Sequence, residues 1–176
     1  MTANATPNIR LRGLAVLLVS MSGIAFEVML TRYFAIASFS EFGYWVISMA
    51  MVGYALSGVL LSIFSTAFVK MHRALLFVLP VLLMLVAVAG FHLTTINPFN
   101  PLALENPVLW KTQLVNIGLY YLALFPFFFL VGSFLGLNFM AFRGQVMGLY
   151  GADLIGAGIG AILILALMFT VHPFYL

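Results

Sequence analysis

The chain has 176 residues, of which 65% are hydrophobic and only 6% charged, and its formal net charge is +3. With a mean hydropathy of +1.20, that much apolar surface cannot be hidden in a water-soluble domain of this length, so the composition describes an integral membrane protein. The basic residues are scattered rather than gathered in a stripe, which excludes nucleic acid as a partner. The absence of cysteine excludes disulfides, thiolate metal sites and a cysteine nucleophile, and leaves the redox compartment open.

The first residues read as a short polar tail. Arg10 and Arg12, standing before the apolar run 13–26, imitate a signal peptide with Ala35-Ile36-Ala37 as its cleavage site. That site lies well beyond the end of the run, with Glu27 and Arg32 between, so the segment is read as a membrane helix. The Asn4-Ala5-Thr6 sequon is then a chance match on the cytoplasmic side.

About 20 apolar residues cross a bilayer as a helix. Five runs of that length predict an all-α bundle of about five transmembrane helices in a single domain, 1–176, over residues 11–37, 43–69, 74–95, 112–142 and 146–171. The first carries Glu27, Thr31 and Arg32 in its second half. The second has a small-residue face through Gly53, Ser57 and Gly58. Lys70, His72 and Arg73 form a tight basic turn into the third.

Residues 96–111 form the one sizeable loop, because Pro98, Pro101 and Pro107 break helices and Asn97, Asn100, Glu105 and Asn106 favour water. The fourth helix is longer than a span requires. Pro126 is expected to kink it, and Gly132 and Gly136 give it a close-packing face beyond that point. In the fifth, Ala152, Gly156 and Gly160 recur every four residues, so they form one flat face that another helix can approach closely, with Asp153 beside it. These small-residue faces exceed what one five-helix bundle obviously needs.

Arg10, Arg12, Lys70, Arg73 and Arg143 fall on one side and Arg32 and Lys111 on the other. The positive-inside rule therefore predicts a cytoplasmic N-terminus and an outer C-terminus, with Tyr44, Trp45 and Trp110 in the outer aromatic belt. The expected location is a bacterial inner membrane. Five spans argue against a transporter-style inverted repeat.

An ionisable group in hydrocarbon costs roughly 2.5 to 3.5 kcal/mol on insertion scales, so Glu27 and Asp153 should face protein or water. Counted by helical rise, Glu27 lies about 22 Å and Asp153 about 10 Å from the inner ends of their helices, too far apart to touch. Two polar layers are expected: an outer one of Glu27, Ser48 and Asn116, and an inner one of Asp153, Asn138, Arg143 and Tyr150. Arg32 points about 140° away from Glu27, so Thr31 is the better partner on the same helix, while Arg32 reaches the head groups or Glu41. The two acids belong either to a proton, ion or ligand path or to hydrogen-bonded struts between helices, and the strut reading is preferred.

His92 and His172 lie near the outer ends of their helices and could pair on a haem, whereas His72 is on the inner side; interfacial histidine is the commoner role, and no cofactor is expected. The run Phe125 to Phe129 and the Met-rich second helix are read as packing rather than as a quinone, carotenoid or lipid groove. No P-loop, nucleophile elbow, zinc-binding helix or dinucleotide fingerprint is present, and Gly156, Gly158 and Gly160 lie inside an apolar helix rather than after a strand.

Three segments carry a family resemblance: Gly23-Ile-Ala-Phe-Glu27 with Leu30-Thr-Arg32, then Gly53-Tyr-Ala-Leu-Ser-Gly58, then Gly148-Leu-Tyr-Gly-Ala-Asp-Leu-Ile-Gly-Ala-Gly-Ile-Gly160. In order and spacing they resemble the membrane region of the integral-membrane spermidine synthase-like proteins. The resemblance implies a membrane scaffold with Glu27, Arg32, Tyr150, Asp153, Gly156 and Gly160 as matching positions. In that family a soluble aminopropyltransferase-like domain follows; no residue of this sequence can take over its chemistry, so no catalytic residue is assigned.

The expected function is that of a non-catalytic scaffold or accessory subunit packed against other membrane proteins in a larger complex. Two alternatives stand beside it. One is the membrane anchor of a spermidine synthase-like or methyltransferase-like enzyme whose catalytic domain is elsewhere. The other is a transporter of a small amine or of protons that uses Glu27 and Asp153.

Overall fold

A computed structural model describes residues 9–37 and 43–170. The elements are α1 (Ile9–Ala37), α2 (Gly43–Ile63), α3 (Ser65–Lys70), α4 (His72–Ile96), α5 (Trp110–Ala141) and α6 (Val146–Thr170), with short 3-10 turns at Pro101–Leu104 and Arg143–Gln145. No strand occurs among the described residues. All but α3 are long and apolar enough to cross a membrane, as the composition predicts.

The single helix expected over 43–69 is in fact two. Phe64 leaves helical geometry at φ −103°, ψ 27°. The chain tightens there, with the Ala67 N–H bonding the Phe64 carbonyl at 3.0 Å. Ser62, Ser65 and Thr66 flank the break, where α2 has already reached membrane-spanning length. Because Phe64, Phe68 and Val69 keep the apolar run going, a count of apolar residues cannot see the change. Further on, α4 starts at His72, so the basic turn is shorter than expected, and α5 starts at Trp110 rather than 112. Pro126 lies inside α5 as foreseen; Pro80 inside α4 was not singled out.

Two pairs of helices run parallel at very short range. In the first, Gly13 of α1 faces Ala152 of α6, Gly156 lies on the Leu17 carbonyl, and Gly160 lies on the Met21 carbonyl. Both partners advance by four residues at each contact, which only a parallel pair allows. In the second, Gly53 of α2 lies on the backbone of α5, where a Cβ would stand 2.7 Å from the Cβ of Phe128, and Gly132 and Gly136 of α5 lie on Ser57 and Leu61.

Helix α5 is the hub, in contact with α1, α2 and α4, while α6 packs mainly on α1 and α4 mainly on α5. The bundle is therefore a row with α6 and α4 at its edges. Its core runs along α5, where Leu124, Phe127, Phe128 and Val131 are almost fully buried.

The small-residue faces that looked surplus to one bundle are used inside it. Gly53, Ser57, Gly132 and Gly136 join α2 to α5, and Ala152, Gly156 and Gly160 join α6 to α1. Four helices set apart in sequence close in two pairs on these small residues, which no single helix reveals.

Candidate functional site

The Glu27 side chain is half-buried on α1, and among the described residues no ion pair or hydrogen bond reaches its carboxylate. Thr31, its expected partner, donates instead to the Glu27 main-chain carbonyl at 2.8 Å. A hydroxyl one turn along a helix finds that carbonyl more readily than a flexible carboxylate. Arg32 is exposed and makes no contact with Glu27, in line with its angular offset. Glu41, its other expected partner, lies outside the described residues.

Glu27 opens onto a groove of about 590 Å³ whose floor is α1 and whose walls are α2 and α6. Thr31 and Arg32 continue the floor toward the C-terminal end of α1, Ile47 forms one wall, and Leu165 and Phe169 form the other. Phe169 is 92% exposed, so its ring projects from the rim instead of closing the groove. The site combines one acid, one base and apolar walls.

The outer polar layer is not built around Glu27. Ser48 is exposed and bonds back to the Tyr44 carbonyl at 3.2 Å. Asn116 is buried at the loop, where its Nδ2 donates to the Pro98 carbonyl and to Gln113 Oε1, both at 3.4 Å. Gln113 Oε1 also accepts the Asn100 N–H at 3.0 Å, and Asn97 Nδ2 donates to the Asn116 carbonyl at 2.8 Å. Asn116 is thus part of a clamp that ties the 97–100 segment to α5. Gln113 went unnoticed in the sequence, although its spacing of three from Asn116 puts both on one face.

The inner layer is likewise not formed. Asn138 is buried, but its Nδ2 donates to the Phe134 carbonyl of its own helix at 2.9 Å. Arg143 and Tyr150 are exposed. Among the described residues neither Asn138 nor Arg143 pairs with Asp153. What holds Asp153 in register is its backbone: its carbonyl accepts the Ser20 hydroxyl of α1 at 2.9 Å.

Glu27 and Asp153 do not touch, as helical rise predicts. The Tyr54 phenol of α2 lies against α1 at Gly23. It reaches in toward α1 because Gly23 leaves the space; a Cβ there would stand 3.4 Å from the phenol oxygen. The sequence reading missed Tyr54, and the signal it offered was the glycine on a neighbouring helix.

His92 is exposed on α4, and His172, the other histidine considered for a haem, lies outside the described residues. Among the described residues no group of three or more His, Asp or Glu side chains could hold a metal ion. Within the aromatic run, Phe127 and Phe128 are buried in the core, and Phe125 stacks on Phe129 at 6.0 Å, which is packing.

Of the six matching positions of the resemblance, Gly156 and Gly160 pack on α1, Arg32 and Tyr150 are exposed, and the side chains of Glu27 and Asp153 pair with no described residue. Compared with models of protein families, with curated proteins and with solved structures, the chain matches none.

Proposed function

We propose that this chain is a non-catalytic scaffold in a membrane-protein complex, with its basic end in the cytoplasm, and that it seats a transmembrane helix of a partner in the Glu27 groove. The observation that carries this reading is the half-buried, unpaired Glu27 carboxylate at the floor of an open groove between α2 and α6. A carboxylate at membrane depth is stabilised by a donor or cation from a neighbouring segment. The groove has room for one, and its walls suit an apolar helix that carries a basic or hydroxyl side chain at the level of Glu27.

The test is purification from native membranes. The intact chain should migrate with a larger membrane protein, and Glu27→Leu should release it while the chain itself stays folded. A wild-type chain that runs as a monodisperse monomer with no partner contradicts the reading.

A second reading, transport of protons or a small amine, draws on the Glu27 carboxylate that lines the open groove. It predicts flux in liposomes that Glu27→Gln abolishes; no flux rejects it. The enzyme-anchor reading rests on the sequence resemblance alone.

A further inference from the structure

The opposite end of the bundle brings an arginine and a histidine from separate helices to a single aromatic ring. The Arg12 guanidinium of α1 lies 3.4 Å from the centroid of Phe142, the residue that ends α5. The His72 ring, at the start of α4, meets the same phenyl edge-on at 5.8 Å. His72 Nδ1 is engaged with the Val69 carbonyl at 2.6 Å, which leaves Nε2 for another partner. Arg73 follows directly and is exposed. Arg143 adjoins Phe142 on the other side and is also exposed.

A cluster of basic side chains drawn from separate helices to one ring offers an anion several donors at once. Among the described residues no ion pair is formed at this end: Asp153 stands close to the level of Arg12, because Gly13 faces Ala152, yet it pairs with neither Arg12 nor Arg73. The depth of the cluster indicates the source of the anion. Arg12 and Arg32 are separated by twenty residues of one helix, about 30 Å, which is the thickness of the hydrocarbon core. Arg12 is therefore at phosphate level in its leaflet. Stacking on Phe142 fixes the guanidinium plane, and a fixed guanidinium suits the paired oxygens of a phosphate. Leu11, Leu14 and Phe77 are exposed on the same two helices and offer apolar surface for acyl chains.

We propose that the basic end binds an anionic phospholipid, with the phosphodiester bridging Arg12 and Arg73 and the acyl chains lying along α1 and α4. The site is separate from the Glu27 groove and does not depend on the function proposed for it.

The test uses the full chain in zwitterionic detergent, titrated with phosphatidylglycerol, phosphatidylcholine or inorganic phosphate. Thermal stability and retained lipid adducts are read by unfolding and by native mass spectrometry. Phosphatidylglycerol should raise the melting temperature and persist as an adduct, while phosphatidylcholine should do neither. The double variant Arg12→Gln/Arg73→Gln should bind phosphatidylglycerol about a hundredfold more weakly, the loss expected for two charge-assisted contacts at about tenfold each. Lys111→Gln, at the far end, should bind as the wild type does. Equal effects of the two lipids overturn the proposal, and so does undiminished binding by the double variant. Inorganic phosphate that reproduces the whole effect also overturns it, since the site would then recognise a free anion. The lipid comparison on wild-type protein decides the matter even if the double variant fails to fold.

Discussion

Gly156 of α6 and Leu17 of α1 meet backbone to backbone, with the Leu17 carbonyl in the space where a side chain on Gly156 would stand. The same geometry recurs one turn on, between Gly160 and Met21. Apolar side chains gain nothing by leaving lipid for one another, so close approach and the packing it allows are what hold α6 to α1.

Gly156→Ala and Gly160→Ala should therefore each destabilise the bundle by about 1–3 kcal/mol, the usual range for overpacking, because the obstacle is main chain and cannot rotate away. Gly158→Ala is the control. Nothing lies within 4 Å of its would-be Cβ, so it should be neutral or stabilise by up to about 1 kcal/mol through helix propensity. Unfolding in mixed detergent micelles measures all three.

The α2–α5 seam should respond in the same way. Gly53→Ala, which drives a Cβ onto Phe128 and the backbone of Phe129, should destabilise by about 1–3 kcal/mol, while Gly58→Ala, with open space around it, should not. If the two variants proved equally stable, the parallel pairing of α2 and α5 would be wrong.

Asp153 is held through its main chain, so its carboxylate contributes little to the fold. Asp153→Asn should leave stability within about 0.5 kcal/mol of wild type. Ser20→Ala should lower it by about 0.5–1.5 kcal/mol, because it removes the hydroxyl that donates across the α1–α6 seam. A larger loss for Asp153→Asn than for Ser20→Ala would restore the side chain as the strut.

The loop clamp can be broken from α5. Gln113→Leu removes the acceptor shared by the Asn100 N–H and Asn116 Nδ2 and leaves both short of a partner, at a cost of about 1–3 kcal/mol. Because the clamp holds a loop end, the loss should show first as faster hydrogen exchange and proteolysis over residues 97–109, with the core helices unchanged.

The five spans and the Gly156 and Gly160 face were legible because composition, run length and a spacing of four are properties of one segment at a time. The break at Phe64 was not, since apolar residues continue through it. The polar layers also failed, and for a physical reason: Asn138, Thr31 and Ser48 each satisfied themselves on a carbonyl within their own helix, a nearby partner that an estimate of membrane depth does not take into account. Glu27 has no such local alternative, because a carboxylate cannot donate to a helix carbonyl. That is why it remained unpaired and why it marks the groove.

Removing that carboxylate should show the division between fold and function. In the isolated chain Glu27→Leu should leave stability unchanged or raise it by about 1 kcal/mol, since an unpaired, half-buried polar group is removed. A loss of more than about 1 kcal/mol in the isolated chain would mean that the carboxylate serves the fold itself.

The most direct measurement is photo-cross-linking in native membranes from a reactive residue placed at Ile47 or Phe169, on the two walls of the groove, compared with one at Val88, exposed on the edge helix α4. A single membrane-protein adduct is predicted from both groove positions, absent from Val88 and lost when Glu27→Leu is added. Adducts to lipid alone from the groove, or a protein adduct indifferent to Glu27, would contradict the account.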